Sequence, residues 1–164
     1  AIFGGLQVSV VESSEVRHTA SPIPTGLQAV LFVPELRIAT KDARRVLPES
    51  LSRADAVYNI GRAALLVAAM ARGRFDLLNT ATQDKMHQPA RSELFPAMVH
   101  IFEAARQAGA HAAYLSGSGS TLCALATAAT DEIARAMAGE ARSHNVMGRT
   151  IVTRPTERGA EVLG

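Results

Sequence analysis

The stretch "HAAYLSGSGSTLCALAT" (residues 111–127) joins two short apolar runs through Ser116, Gly117, Ser118, Gly119 and Ser120. Two chemistries suit such a segment. Glycines supply the positive φ angles of a tight hairpin turn. Consecutive backbone N–H groups, unobstructed by side chains, also make a nest for a phosphate or a developing oxyanion. The spacing matches neither a Walker loop, which needs Gly-Lys-Ser/Thr, nor a dinucleotide fingerprint, which needs a third spaced glycine. No base partner for Ser116, Ser118 or Ser120 is recognisable, so a hydrolase nucleophile is not expected.

The next candidates are arginines. "TKDARRVLP" places Arg44 and Arg45 on a short helix, and "HQPARSELFP" places Arg91 between prolines. A solvated helix face and a surface loop are ordinary positions for arginine. Two guanidinium forks aimed at one point would instead clamp a carboxylate or phosphate bidentately. Sequence spacing leaves both readings open. The five histidines show no metal-site spacing; His87 reads as a hydrogen-bonded structural residue, and Asp84-Lys85 as ordinary helix-end charges. No catalytic base and no metal ligand set is identified. Cys123 is the single cysteine, which excludes an intrachain disulfide framework and a Cys-rich zinc site and points to a reducing, cytoplasmic setting.

The elements that must position these residues follow from periodicity. Residues 2–11 alternate as a strand, 12–26 read as a loop or linker, and 27–35 as a buried strand ended by Pro34. A short helix over 40–48 starts at the cap-type residue Thr40. The clearest helix spans 52–73, with Ser52 as cap, Gly73 as stop and an apolar face of Ala56, Tyr58, Ile60, Ala63, Ala64, Val67 and Met70. A further helix is expected over 75–86, irregular chain over 87–96, and an amphipathic helix over 97–109. Strands at 110–115 and 121–126 flank the glycine-serine turn. A helix over 131–144, capped by Thr130 or Asp131, precedes a last strand at 147–155 and a weak tail. Hairpins set apart from helices give an α+β class: a ferredoxin-like arrangement, with a small antiparallel sheet and helices on one face.

Composition bounds the rest. The chain has 164 residues, 48% of them hydrophobic, enough for one domain or one domain plus a remnant of another. It opens at Ala1 with a strand already in progress, so a fragment whose front half is missing is expected. A net charge of +2, five Phe, two Tyr and no Trp argue against a nucleic-acid platform. No apolar run approaches the roughly 18 residues of a membrane span, and no signal peptide is visible.

Five segments, in order, carry a family resemblance: "FGGLQVSV", "VPELRIATKDARRVLP", "ADAVYNIGRAALLVAAMARGRFDLL", "DKMHQPARSELFP" and "GAHAAYLSGSGSTLCAL". The second resembles a T-x-x-A-R-x-x-L-P helix start, the fourth a D-x-x-H-x-P-x-R-x-x-L-x-P segment. The fifth resembles the motif G-A-x-x-x-x-L-S-G-[AS]-G-P-[ST]. Together they are similar to the C-terminal half of the homoserine kinases. That family lies in the galactokinase, homoserine kinase, mevalonate kinase and phosphomevalonate kinase superfamily.

The resemblance implies that Ser116, Gly117, Ser118 and Gly119 are both the hairpin turn and a backbone wall close to the nucleotide phosphates. Ser120 departs from the family's usual proline. It also implies that Arg44 and Arg91 grip a substrate α-carboxylate, with Thr40 as the helix-start threonine of the same substrate site. The superfamily's phosphate-cupping loop has no counterpart here. ATP and Mg2+ would therefore bind mostly in an N-terminal domain, of which residues 1–20 are the closing strand and linker, with 21–164 as the C-terminal kinase domain. The implied activity is ATP-dependent phosphorylation of the side-chain hydroxyl of L-homoserine, a step toward threonine, with this stretch alone inactive. The implied partners are L-homoserine and ATP, with a homodimer left open and neither nucleic acid nor membrane involved. Two alternatives stay open: another kinase of the superfamily, or a stand-alone ferredoxin-like regulatory module that binds a small molecule.

Overall fold

The computed structural model describes residues 3–161. Ile2, where the first strand is expected to begin, and Val162, Leu163 and Gly164 of the tail lie outside them. The chain opens with a hairpin of β1 (Leu6–Glu12) and β2 (Glu15–Ser21), paired from Leu6↔Ser21 to Glu12↔Glu15. Its two turn residues, Ser13 and Ser14, have φ of 49° and 74°, the double left-handed geometry of a two-residue hairpin turn. The expected loop over 12–26 is thus largely a strand. β2 exposes every residue but Ser21, so a backbone ladder holds it and no buried face imprints alternation on its sequence.

The main sheet contains β3 (Gln28–Pro34), β4 (Ala112–Leu115), β5 (Leu122–Ala126) and β6 (Gly148–Thr153), in the order β4-β5-β3-β6 with all neighbours antiparallel. That is the split βαβ order of a ferredoxin-like sheet, and the α+β class holds. The pleat sends Val30, Phe32, Ala113, Leu122, Ala124 and Ala126 to one face. Two helices cover it. α5 (Met98–Gln107) buries Met98, Ile101, Phe102 and Ala105, and α6 (Thr130–Ser143) buries Ile133, Met137 and Ala141, both at helical spacing. The N-cap of α6 is Ala129, at φ 55° and without a side-chain cap, in place of Thr130 or Asp131; Asp131 and Glu132 in the first turn complement the helix dipole.

The opposite face carries a smaller apolar layer as well. Leu27, Cys123, Leu125 and Ala112 meet Ala69 and Met70 of α2 (Arg53–Ala71) and Leu78 of α3 (Leu78–Ala81). Ser52 caps α2 as expected, its Oγ accepting from the Asp55 N–H at 3.0 Å. The apolar face of α2 differs from expectation: Leu66, Ala69 and Met70 pack inward while Ile60 is 69% exposed. Alanine and aliphatic residues surround this helix, so its sequence carries period without phase. By length and composition alone, α2 also reaches membrane-spanning dimensions, with 19 residues and a mean hydropathy of 1.2, contrary to the sequence expectation. It carries Arg53, Asp55 and Arg62, and its last turns lie on the sheet.

Shorter elements complete the cleft. The helix expected over 75–86 is a single tight turn at Phe75–Leu77 followed by α3, which ends at Ala81. The segment expected to be irregular contains α4 (Gln88–Ser92), with Pro89 in its first turn, where its missing N–H costs nothing. α1 (Thr40–Arg45) has Ala39, not Thr40, at its cap. The tail is tied to the start of the chain, the Gly5 N–H donating to the Thr156 carbonyl at 2.8 Å.

Candidate functional site

The glycine-serine loop closes β4 onto β5. The Ser116 N–H donates to the Thr121 carbonyl at 2.9 Å, and the Gly119 N–H donates to the Ser116 carbonyl at 3.1 Å. Gly117 and Gly119 take φ of 60° and 89°, which an L side chain rarely adopts. The hairpin reading is therefore correct, and it consumes the Gly119 donor. The Gly117 and Ser118 N–H groups have no partner among the described residues, so the loop retains two donors of the kind an anion nest uses. The Ser120 hydroxyl donates to the Leu36 carbonyl, anchoring the loop to the segment that leads into α1.

Arg91 is the hub. It sits in the last turn of α4, half-buried; its Nη1 donates to the Gly117 carbonyl at 2.8 Å and its Nε to the Ala43 carbonyl of α1 at 3.3 Å. One guanidinium therefore joins α1, α4 and the loop. Ala43 is the residue before Arg44. Arg44 itself lies exposed in the last turn of α1, its side chain bonded to nothing among the described residues. Thr40 is exposed at the first position of the same helix. Arg45 pairs with Asp42 at 3.1 Å, at the surface.

Asp84 builds the neighbouring wall. Its carboxylate accepts from the N–H groups of Met86 at 2.6 Å, His87 at 2.7 Å and Gln88 at 2.7 Å, which starts α4. Burial pushes its pKa up, but the three backbone donors and the nearby His87 together outweigh burial and hold it below the usual carboxylate value. Asn59 of α2 clamps the same turn, its amide donating to Asp84 at 3.1 Å and accepting from the Lys85 N–H at 3.0 Å. Asp84 thus closes the turn that leads into α4 and is not an ordinary helix-end charge. His87 Nδ1 lies 3.4 Å from the Asp84 carboxylate, consistent with its structural reading. Gln88 donates from its side chain to the Thr82 carbonyl and accepts from the Leu115 N–H at 3.0 Å, binding α4 to the end of β4.

Between these walls lies a cavity of about 620 Å³ that takes in Asn59, Arg62, His87, Gln88, Arg91 and Gly117. Arg44 and Thr40 are not in its lining. Sequence reading missed Arg62 and Asn59. The guanidinium of Arg62 stacks 3.1 Å over the Tyr58 ring and donates to Gln83 at 3.2 Å, while its Nε is buried without a partner. The spacing of Tyr58 and Arg62, one helical turn apart, was the available signal. On the sheet side of the cavity, burial raises the pKa of the Tyr114 phenol and of the Cys123 thiol, so Cys123 is an inert core thiol.

The family model described as GHMP kinases C terminal matches residues 66–143, which run from α2 through the glycine-serine loop to the end of α6. Over 163 residues, 99% of the chain, it is 39% identical to a homoserine kinase of Moorella thermoacetica and 31% identical to one of Clostridium botulinum. The chain spans about half, 55%, of the length of each of these relatives. A crystal structure of homoserine kinase from Cytophaga hutchinsonii superposes with a TM-score of 0.88 at 31% identity, over 96% of this chain and 50% of that one. Sheet order, loop and sequence likeness coincide on the same residues, and together they liken this chain to the C-terminal domain of the GHMP kinases.

Proposed function

We propose that this chain is the substrate-side half of an ATP-dependent homoserine kinase, with residues 1–20 contributing to a second, nucleotide-binding domain. The observation that carries the reading is the position of Arg91, which ties α1 and the loop together in the wall of the cavity. The relatives named homoserine kinase supply the substrate class. A reading as another GHMP kinase is less favoured, because the chain carries the paired A-R and P-x-R segments, and Arg91 of the second bonds the Ala43 carbonyl of the first.

In the proposed reaction the homoserine hydroxyl oxygen bonds to the γ-phosphorus, the bond to the β–γ bridging oxygen breaks to release ADP, and the hydroxyl proton passes to solvent water. Such a transfer depends mainly on positioning and charge stabilisation. The residues of this chain orient. Arg91, with Arg44 swung inward, holds the α-carboxylate, and the Gly117 and Ser118 N–H groups face the phosphoryl oxygens. Thr40 lies at the edge of the same substrate site. Mg2+ accompanies ATP in this family, but the acid in the cavity wall does not fit it. Asp84 already accepts three backbone N–H bonds and one from Asn59, so no step here runs through a metal. A cytoplasmic setting goes with the reading.

The test is ATP-dependent phosphorylation of L-homoserine by the intact protein of which these residues form part. Turnover on homoserine with none on mevalonate supports it. Binding of an amino acid without phosphoryl transfer would favour the regulatory-module alternative. Residues 1–164 alone should give negligible turnover.

A further inference from the structure

Across the sheet from the cavity, where α5 and α6 run side by side, three metal-type ligands converge. Glu140 and His144 are one turn apart at the C-terminal end of α6, and Glu140 Oε1 lies 3.1 Å from His144 Nε2. His100, in the first turn of α5, stacks on His144 with ring centroids 4.5 Å apart and an interplanar angle of 17°. One donor atom from each of the three lies within 4.8 Å of the others. We propose that His100, Glu140 and His144 bind a borderline transition-metal dication of the Zn2+ type, which clips the start of α5 to the end of α6.

Four arguments support this. The donor set is two imidazoles and a carboxylate, which zinc takes at about 2.0–2.2 Å. Bonds of that length in a tetrahedral site put ligand atoms about 3.3 Å apart. The Glu140–His144 contact already has nearly that spacing, so a cation would take the place of the proton the pair shares, and only the exposed His100 ring needs to close. The C-terminal end of α6 carries the negative end of the helix dipole, which favours a cation there. The imidazoles also select the class of ion: nitrogen ligands suit zinc, nickel and copper, whereas Mg2+ prefers an all-oxygen shell. The site is therefore distinct from any metal that travels with ATP. Spacing among the histidines alone does not point to this cluster: Glu140 and His144 form an i,i+4 pair, and His100 joins it only through the packing of α5 on α6.

Calorimetric titration of the chelator-treated 164-residue chain with ZnCl2, and separately with MgCl2, tests the proposal. One saturable zinc site of micromolar affinity and no magnesium response are expected. His100→Ala and His144→Ala should each weaken zinc binding at least tenfold, while His18→Ala on the distant hairpin leaves it unchanged. Zinc should raise the thermal midpoint of the parent chain and not that of the His100→Ala/His144→Ala double variant. Should the double variant fail to fold, Glu140→Gln keeps the side-chain shape and should still weaken zinc at least tenfold. An absent zinc isotherm, equal affinity in the histidine variants, or an unchanged affinity in Glu140→Gln would overturn the site.

Discussion

Arg91 donates to the Gly117 carbonyl at 2.8 Å, which fixes the glycine-serine loop to a residue distant in the sequence. The same guanidinium reaches the Ala43 carbonyl, so the side chain proposed to hold substrate also sets the position of the loop that faces it. Lysine cannot reproduce this fork, because it presents a single flexible ammonium. In the intact enzyme, Arg91→Lys should raise the KM for homoserine by roughly ten- to a hundredfold, the equivalent of about 1.5–3 kcal/mol in charge-assisted hydrogen bonding, with a smaller rise in the KM for ATP as the loop loses its anchor. Steady-state kinetics with each substrate varied in turn checks this.

Arg44 and Arg45 separate the clamp from general surface charge. Arg45 is an exposed partner of Asp42, and such pairs contribute little. Arg44→Lys should therefore raise the homoserine KM, whereas Arg45→Lys leaves both KM values as they are. An unchanged homoserine KM in Arg44→Lys would show that position 44 acts only through its charge, which lysine keeps.

Asp84 makes stability depend on acid. Its folded-state pKa lies below its unfolded value, so its contribution is fully present above the unfolded pKa near 3.8 and is lost as pH falls through the folded value. Asp84→Asn keeps one acceptor oxygen but brings an amide donor toward three N–H groups. It should lower stability by about 2 kcal/mol at pH 7 and remove part of the loss seen in the parent as pH falls below the unfolded pKa. Urea unfolding of both proteins across that range measures the difference.

Gly119 and Gly117 are strained differently for a side chain. A Cβ on Gly119 would lie 3.0 Å from Leu115 Cδ1 at a φ of 89°, whereas one on Gly117 meets open space at a φ of 60°. Gly119→Val should lower turnover strongly in a folded enzyme. Gly117→Ala should cost about 1 kcal/mol of stability through its backbone conformation. Near-normal turnover in Gly119→Val would leave the loop as a plain turn.

Two isoleucines test the packing. Ile101 is fully buried between α5 and the sheet, and Ile60 is 69% exposed on α2. In the 164-residue chain, Ile101→Ala should destabilise by about 3 kcal/mol and Ile60→Ala by no more than about 0.5 kcal/mol, read by denaturant midpoints.

Much of this was legible in the sequence by itself. The 3.6-residue period of Met98, Ile101, Phe102 and Ala105 and of Ile133 and Met137 determined two core helices, because each has one apolar face and a polar remainder. Gly117 and Gly119 determined a turn, since few other residues accept those φ values. Five ordered motifs carried the family resemblance. Tertiary structure alone decided the rest. The phase of α2 depended on where its last turns meet the sheet, because residues 63–71 of that helix are apolar on every side. The strand β2 was hidden because its ladder, not a buried face, holds it. Arg91 meets Gly117 and Ala43 across sequence separations of 26 and 48 residues, and His100 meets His144 only because α5 and α6 pack on one face of the sheet. Periodicity and turn chemistry act over a few residues, whereas such convergence follows from how the whole chain closes on its core.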